Sequence, residues 1–390
     1  MYRVTRYGAI AAFLAAVIGL TASQPVIPVS VRLPPVRHVF VIVLENASFD
    51  RSYGSDADYP YLAGTVRGQG VLLSQYYATA HYSLGNYLAI LGGVAPNTDT
   101  QKDCPYYLGM NNAASAPPGQ VSARSGCIYP GWVPSLAGQL SAKNLSWRGY
   151  MEDLGNTPGR EQTTCGKPSL GRYSADMTQK AAAGDAYAAR HNPFLYFSSV
   201  VDTPACAANV GPLTRLPRDL ASVRTTPNFS FISPSLCNDG HDQTCDGQPA
   251  GPAAEDAWLR TWVQLITSSP AFREDGALFI VTDESDGDSS ACCREPSGPN
   301  VAAPGVPKTA DQSFAGSVGD GMGGGLTGAV VISPFVRPGS TSAVPYNHYS
   351  LLGSIEDLFG LPHLGYAGMP GLRGFGRDVW SISVPGGQRP

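Results

Sequence analysis

Residues 36–46 read VRHVFVIVLEN, and this stretch decides the fold class. Val36 to Leu44 is nearly continuous in apolar, mostly β-branched side chains, which is typical of a strand covered on both faces of a parallel sheet. Glu45 and Asn46 place two polar side chains directly after this strand. Because ligands of an open α/β sheet bind beyond the carboxyl ends of the strands, Glu45 and Asn46 are the first candidates for a functional site.

The rest of the chain alternates between segments typical of strands and of helices. Further strands are predicted at residues 71–77, 194–201, 228–233, 277–282 and 329–335. Helices are predicted at residues 84–91, 133–142, 176–189, 217–223, 255–267 and 348–359. This alternation predicts an α/β fold with a mostly parallel central sheet and helices on both faces.

The composition indicates a globular protein rich in loops. Hydrophobic residues make up 43% of the 390 residues and charged residues 14%, which argues against a disordered chain. The 45 glycines and 33 prolines are most frequent in two long segments with weak periodicity, residues 99–130 and 285–327. We therefore expect one domain over residues 36–390 with long loop insertions in these two segments, preceded by a proline-rich connector at residues 24–35.

The first 23 residues resemble a secretory signal peptide. Arg3 and Arg6 precede an apolar run, residues 8–20, and small residues at 21–23 provide a cleavage site. The run of 13 residues is shorter than the roughly 20 needed to span a bilayer, although an uncleaved anchor is the alternative. No other segment is apolar enough to span a membrane, so we expect a secreted or cell-envelope (periplasmic) protein.

The charge and the cysteines restrict the partners and the compartment. The net charge is −4 and no basic run occurs, which argues against a nucleic-acid partner. The eight cysteines form an even set without a CxxC motif, which is typical of disulfides in an oxidising compartment. The first expected pairs are Cys104–Cys127 and Cys237–Cys245. The adjacent cysteines at 292 and 293 pair with each other or with more distant partners.

Polar residues also follow the other predicted strands. Ser83 begins a helix after the second strand, and residues 238–242 (NDGHD) follow the strand at 228–233. Asp283 and Glu284 follow the strand at 277–282, and His348 begins the last helix. Each of these has an ordinary structural interpretation, such as a helix cap at Ser83 or a solvated turn at 283–284. Their convergence at strand ends favours a functional site.

Together these side chains meet the requirements of phosphoester cleavage. The two acidic clusters, at 45–46 and 283–284, provide oxygen ligands for a divalent cation, which favours Mg, Ca or Mn, with Zn also possible. A hydroxyl at a helix N-terminus lies where backbone N–H groups attract phosphate. A cation beside it would lower its pKa, and His241 or His81 could protonate the leaving alkoxide.

The run at residues 38–54, HVFVIVLENASFDRSYG, resembles the opening signature of a bacterial phosphoesterase family that includes secreted acid phosphatases and non-haemolytic phospholipases C. The segments at 81–87 (HYSLGNY), 238–242 (NDGHD), 282–284 (TDE) and 346–352 (YNHYSLL) resemble its later blocks, in the same order. The resemblance covers residues 36–366 and implies an alkaline-phosphatase-like fold.

The resemblance also implies roles for individual residues. Four of them would bind one divalent metal ion: Glu45, Asn46, Asp283 and Glu284. Ser83 lies where the superfamily has its Ser or Thr nucleophile, so it would form a phosphoserine.

The remaining matches concern the phosphate and the leaving group. Asn86 matches an asparagine that steadies the phosphate. His241, with Asp242 beside it, would stabilise the phosphoryl group or act as the general acid. His81 and His348 would have supporting roles.

Two departures from the family pattern bear on substrate preference: Ala47 and Arg51 stand where the family often has Arg and His. The motifs as a set lead us to expect a secreted, metal-dependent acid phosphatase that hydrolyses phosphate monoesters through a phosphoserine. The alternatives are a phospholipase C or other phosphodiesterase, and a binding protein built on an inactive phosphatase scaffold.

Overall fold

A computed structural model describes residues 1–2, 33–242, 244–245, 247–303, 306–307 and 323–381. The chain divides into residues 1–31 and residues 32–390, and the fold below is that of the second unit. The predicted signal peptide from residue 3 onward, most of the connector and part of the 285–327 loop lie outside the described residues.

The described residues contain a central sheet of eight strands. In chain order these are β1 (His38–Leu44), β2 (Val71–Leu73), β3 (Trp147–Met151), β4 (Val210–Pro212), β5 (Phe229–Ser233), β6 (Gly276–Thr282), β7 (Ala329–Ile332) and β8 (Ser340–Ser342). Their spatial order is β8-β2-β7-β6-β1-β5-β3-β4. Only β7 runs antiparallel to its neighbours among these eight strands, and all other pairs are parallel. The predicted α/β class with a mostly parallel sheet is confirmed.

Helices cover both faces of this sheet. They are α1 (Phe49–Tyr53), α2 (Arg67–Gln69), α3 (Ser83–Gly92), α4 (Leu136–Ala142), α5 (Ser198–Val201), α6 (Pro204–Asn209), α7 (Leu216–Asp219), α8 (Pro252–Ser268), α9 (Pro270–Asp275) and α10 (His348–Phe359). A π-helical turn occupies Tyr61–Val66, and 3₁₀ turns occupy Thr100–Lys102, Arg172–Ser174, Ala189–His191, Pro193–Tyr196, Leu213–Arg215 and Gly365–Gly368. Short two-stranded ribbons pair Tyr76–Tyr77 with Tyr346–Asn347, Ala114–Ala116 with Gln120–Ser122, Thr244–Cys245 with Gln248–Pro249, and Val301–Ala303 with Val306–Pro307.

Strand β1 divides the core into two layers because its side chains alternate between faces. The odd-numbered residues from Val39 to Val43 pack in a cluster with side chains of α3 and α10. The even-numbered residues from Phe40 to Leu44 pack in a second cluster with side chains of α8. All seven residues of β1 are buried, so its near-continuous apolar sequence reflects cover on both faces.

Two predicted elements are wrong. Residues 194–201 form a 3₁₀ turn followed by α5 instead of a strand, because Pro193 presets a helical φ and a short apolar run does not distinguish a strand from a buried helical turn. Residues 176–189 form turns instead of a helix. Asp176 accepts hydrogen bonds within a turn, and Gly184 adopts a left-handed φ of 71° that interrupts a helix.

Four disulfides connect all eight cysteines: Cys104–Cys127, Cys165–Cys206, Cys237–Cys245 and Cys292–Cys293. The two pairs expected from the sequence are confirmed, and the adjacent cysteines at 292 and 293 pair with each other. The disulfide between 104 and 127 anchors the long 99–130 loop. In the part of the chain that the structure describes, no helix is long and apolar enough to cross a membrane.

Candidate active site

The carboxyl ends of three neighbouring parallel strands converge at one edge of the sheet. Glu45 follows β1, Asp239 lies beyond β5, and Asp283 follows β6. Backbone pairing continues past the strands: the Glu45 N–H donates to the Asp239 carbonyl at 2.9 Å, and the Asp283 N–H donates to the Leu44 carbonyl at 2.9 Å. The sheet itself therefore brings the three acids together.

Ser83 is the first residue of α3 and faces this acidic edge. Tyr82 before it adopts a left-handed φ of 67°, which turns the chain into the helix. The Ser83 hydroxyl donates to Oε2 of Glu45 at 2.8 Å, and the Leu84 N–H donates to Oδ1 of Asp103 at 3.0 Å. Ser83 thus lies at a helix N-terminus, within reach of a carboxylate that can orient its hydroxyl.

Asn86 stabilises the turn that presents Ser83. Its Oδ1 accepts the N–H groups of Thr79 at 3.0 Å and Ala80 at 2.9 Å, and its Nδ2 donates to the Ala80 carbonyl at 2.8 Å. The side chain is fully buried in these contacts and does not line the cavity. The structure thus assigns it a positioning contact, which differs from the phosphate contact that we expected.

Glu45, His191 and Asp239 form a buried cluster, and one ligand atom of each lies within 4.8 Å of the others. His191 Nε2 is 3.1 Å from Glu45 Oε1, and its ring stacks on Tyr87 with centroids 5.2 Å apart. The Tyr87 hydroxyl donates to Glu45 Oε1 at 2.9 Å. Neither His191 nor Asp239 is among the site residues predicted from the sequence. His191 lies in no recognised motif, whereas Asp239 lies within the 238–242 block, beside the predicted residues His241 and Asp242.

Burial sets the protonation of this cluster. It raises the pKa of Glu45 to about 8, with the charge of Asp239 adding to the effect, and raises the pKa of Asp239 to about 7. Burial, with the charge of Glu45 second, raises the pKa of Asp283 well above its usual range. The pKa of His191 is held well below its usual value, mainly by burial, so its imidazole is neutral.

These residues fit a divalent cation. Among the described residues, Oδ1 of Asn46, Oδ2 of Asp239, Oδ2 of Asp283 and both ring nitrogens of His191 are buried without a hydrogen-bond partner, since the 3.1 Å contact of His191 with Glu45 is an ion-pair distance without hydrogen-bond geometry. Buried acceptors without donors are costly unless something positive satisfies them. Carboxylate and amide oxygens with one neutral imidazole suit Mg, Mn or Zn.

The fourth expected metal ligand, Glu284, is paired differently. Its Oε2 accepts the Tyr82 N–H at 2.9 Å and lies 2.6 Å from Nδ1 of His81. The His81 Nε2 lies 2.7 Å from the Ser289 hydroxyl. Burial lowers the pKa of His81, but the hydrogen bond and charge of Glu284, together with Asp288, outweigh burial and raise the pKa overall. The structure thus places His81 and Glu284 side by side at the cavity, where they are paired with each other.

His348 lies behind the site and does not line the cavity. It is fully buried, with Nδ1 2.9 Å from the Tyr76 hydroxyl and Nε2 2.7 Å from the Asp283 carbonyl. Burial lowers its pKa to about 4, so it is neutral. Its contact with the Asp283 backbone indicates a positioning role.

A cavity of about 420 Å³ opens above Ser83 and contains His241 in its wall. Nδ1 of His241 lies 3.0 Å from Asp242 Oδ1, and this hydrogen bond is the main reason why the pKa of His241 rises to about 9. Arg190, which the sequence analysis missed, also lines the cavity. Its Nε is 3.7 Å from Asp103 Oδ2. Among the described lining residues it is the one cation other than histidine.

Comparison with known proteins identifies related chains. Residues 55–362 match the model described as Phosphoesterase family. A probable acid phosphatase of Kluyveromyces lactis is 25% identical over 329 residues, which is 84% of this chain and 59% of that protein. An acid phosphatase of Aspergillus fumigatus is 26% identical over 90% of this chain and 62% of that protein. This chain thus spans about three fifths of the length of these two fungal relatives.

A phosphatidylinositol-3-phosphatase of Mycobacterium tuberculosis is 25% identical over 353 residues, covering 90% of this chain and 83% of that protein. Among solved structures, an alkaline phosphatase superfamily protein from Vibrio parahaemolyticus matches with a TM-score of 0.45 and 11% identity, covering 86% of this chain and 70% of that chain.

Proposed function

Because this chain belongs to the phosphoesterase family, we propose that it hydrolyses phosphoric esters as a metal-dependent acid phosphatase that cleaves monoesters through a phosphoserine at Ser83. The observation that carries the proposal is the Ser83 hydroxyl, which lies at a helix N-terminus, 2.8 Å from the buried Glu45 carboxyl group and beneath an open cavity. The names of the fungal relatives support a monoester substrate.

The proposed cation is one divalent ion at Glu45. His191 and Asp239 lie with Glu45 in the buried cluster. Asp283 accepts the Asn46 N–H, and both residues have a buried side-chain oxygen without a partner, so we assign these five side chains as the ligands. When bound, the ion neutralises phosphate charge and lowers the pKa of the serine hydroxyl.

In the first step, Oγ of Ser83 attacks phosphorus. The Ser83 proton passes along its hydrogen bond to Oε2 of Glu45, which accepts it as the carboxylate that a neighbouring cation would keep ionised. As the Oγ–P bond forms and the bond to the leaving oxygen breaks, protonated His241 donates its proton to the leaving alkoxide. Its pKa of about 9 keeps it protonated at acidic and neutral pH, and Asp242 holds its other nitrogen.

In the second step, the neutral His241 takes a proton from water, which attacks the phosphoserine. The Ser83 oxygen leaves and recovers its proton from Glu45, so all groups return to their starting state. Arg190 is the group in the wall that can donate to non-bridging phosphate oxygens in both steps.

The compartment is part of the proposal. Four disulfides are typical of proteins that fold in an oxidising environment. We therefore propose that the enzyme acts outside the cytosol, as a secreted or envelope protein.

The test is hydrolysis of p-nitrophenyl phosphate by the purified protein, with and without a chelator. We expect Ser83→Ala to lower kcat by about 1,000-fold or more, since it removes the nucleophile. Ser285→Ala is the matched control, because Ser285 is similarly buried and lines the same cavity. Acid quenching during turnover should trap a phosphorylated peptide that contains Ser83. An unchanged rate for Ser83→Ala rules out the proposed nucleophile, and faster hydrolysis of bis-p-nitrophenyl phosphate points to a phosphodiesterase.

A further inference from the structure

Two loops beside the cavity carry a concentration of exposed apolar side chains. Within the described residues 33–381, seven large hydrophobic side chains are exposed, and five of them lie in residues 105–108 and 169–177. We call these five the apolar face: Tyr106, Leu108, Leu170, Tyr173 and Met177. Scattered exposed apolar residues are normal, but a cluster on joined loops is typical of an interaction surface.

Backbone hydrogen bonds join the two loops into one surface. The Tyr107 N–H donates to the Ser174 carbonyl at 3.0 Å, and the Asp176 N–H donates to the Pro105 carbonyl at 3.0 Å. Tyr106 and Leu108 are exposed while Tyr107 between them is buried, as expected for an extended segment with one face in the core. Backbone hydrogen bonds and the buried Tyr107 therefore fix the position of the apolar face.

The exposed charges on the two loops of the apolar face are positive. In residues 99–110 and 160–180, all of which the structure describes, the exposed charged residues are Lys102, Arg172 and Lys180. The Arg172 guanidinium lies 4.6 Å from the centroid of the Tyr173 ring. This local charge is opposite to the net charge of −4 of the whole chain.

The apolar face also adjoins the cavity. Tyr106 is three residues from Asp103, which lines the cavity, and the intervening Cys104 is fixed by its disulfide. From the second loop, Gln179 Nε2 donates to the Asp103 carbonyl, and Arg190 Nη1 donates to the Gln179 carbonyl. A partner bound at the apolar face would thus lie beside the opening above Ser83.

We propose that the apolar face docks the protein on the surface of an anionic lipid bilayer and presents the cavity to phosphate groups exposed there. Aromatic and aliphatic side chains enter the interfacial region of a bilayer, while Lys and Arg attract anionic lipids. A symmetric dimer through the same face would bring the exposed cations of both copies into one interface, which disfavours a second copy of the chain as the occupant. Hydrolysis at the bilayer rests on the proposed phosphatase activity, whereas the docking does not.

The docking is tested by co-sedimentation of the full chain with vesicles of phosphatidylcholine alone or with one fifth phosphatidylserine. We expect preferential binding to the anionic vesicles, and about tenfold weaker binding for Leu170→Ser combined with Tyr173→Ser. Arg172→Gln combined with Lys180→Gln should remove the preference for the anionic vesicles. Trp132→Ser is the matched control, because Trp132 is also an exposed aromatic residue and lies in another loop.

Several outcomes overturn the proposal: no binding of the unaltered protein, an equal loss in the Trp132→Ser variant, or a dimer in light scattering that the Leu170 and Tyr173 substitutions abolish. Catalysis is measured separately on p-nitrophenyl phosphate and on phosphatidic acid in phosphatidylcholine vesicles. The Leu170 and Tyr173 substitutions should reduce only hydrolysis of the vesicle substrate. Full activity of Ser83→Ala on both substrates would remove the proposed mechanism and leave the docking result intact.

Discussion

The site has two acidic groups of side chains, here called walls, that differ in how their charges are satisfied. The first wall is Glu45, His191, Asp239 and Asp283, which are buried beneath the cavity, and of these only Glu45 lines it. Three of the four side chains contain polar atoms without a hydrogen-bond partner among the described residues. In the second wall, His81 lies between Glu284 and Ser289, and Asp288 accepts the N–H groups of Leu326 and Ser290.

This difference predicts separate roles for the two walls. Burial raises the pKa of the acids in the first wall, so keeping them ionised side by side costs folding free energy unless a cation satisfies them. In the second wall the pKa of Asp288 is lowered, because hydrogen bonds from its neighbours outweigh its burial. We therefore expect cation binding to depend on the first wall and the shape of the cavity on the second.

The largest effect should come from Glu45→Gln. The substitution keeps the volume of the side chain and removes the charge that lies between Ser83, His191 and Asp239. We expect kcat to fall by about 1,000-fold and bound metal to be lost. Metal content measured by elemental analysis, together with kcat on p-nitrophenyl phosphate, checks this. A variant that keeps both its metal and its rate would contradict the assignment of the first wall.

A smaller effect is expected from Arg190→Ala. Arg190 lines the cavity, so its loss should weaken phosphate binding and raise both KM and the inhibition constant of inorganic phosphate by about 30-fold. Arg190→Lys should restore part of the affinity, and Arg172→Ala, which removes an arginine outside the cavity, should leave both constants unchanged. An unaltered inhibition constant in Arg190→Ala would show that this residue does not contact phosphate.

The first wall was only partly predictable from the sequence. Glu45, Asn46 and Asp283 could be found because they directly follow long apolar strands, and parallel strands bring such positions to one edge. His191 could not be found in this way. It lies in a 3₁₀ turn between segments whose secondary structure was wrongly predicted, and only the tertiary fold brings its ring against Tyr87.

The strands and helices also differ in how well the sequence predicts them. Strand β1 was readily predicted because a nearly continuous run of β-branched apolar residues is typical of a buried strand. Helix α10 was predicted because its apolar residues recur with a helical period. Strand β3 was missed because it contains Arg148 and Gly149, which weaken both its hydrophobicity and its β-propensity. Its place in the sheet depends on pairing with β5 and β4, which no local pattern encodes.

Glu284→Gln tests the second wall directly. If the pairing with His81 is the main role of Glu284, the substitution keeps a hydrogen-bond acceptor for the Tyr82 N–H, and activity should fall by no more than about tenfold with metal retained. The losses of kcat and of bound metal in Glu284→Gln are compared with those measured in Glu45→Gln. Loss of metal as complete as in Glu45→Gln would make Glu284 a ligand, as the family resemblance implies, and would remove the distinction between the walls.

The smallest expected effect is on stability as a function of pH. In metal-free protein, Glu45 and Asp239 bind protons more tightly when folded than when unfolded, since their pKa values rise from 4.5 to about 8 and from 3.8 to about 7. Their contribution to stability is therefore lost as pH rises from about 4 through 8. We expect Tm in the presence of chelator to fall by on the order of 5 °C between pH 5 and pH 8 through these two groups.

The double variant Glu45→Gln, Asp239→Asn tests this contribution, because it removes both titrating groups together with the effect of the Glu45 charge on the pKa of Asp283. Its Tm should fall less between pH 5 and pH 8 than that of the unaltered chain. Added divalent metal should flatten the dependence of the unaltered chain and leave the variant unaffected, since a bound cation stabilises the ionised carboxylates. If the Tm of both proteins instead falls by the same amount between pH 5 and pH 8, the charges of Glu45 and Asp239 do not destabilise the first wall. The distinction between the two walls would then rest on geometry alone.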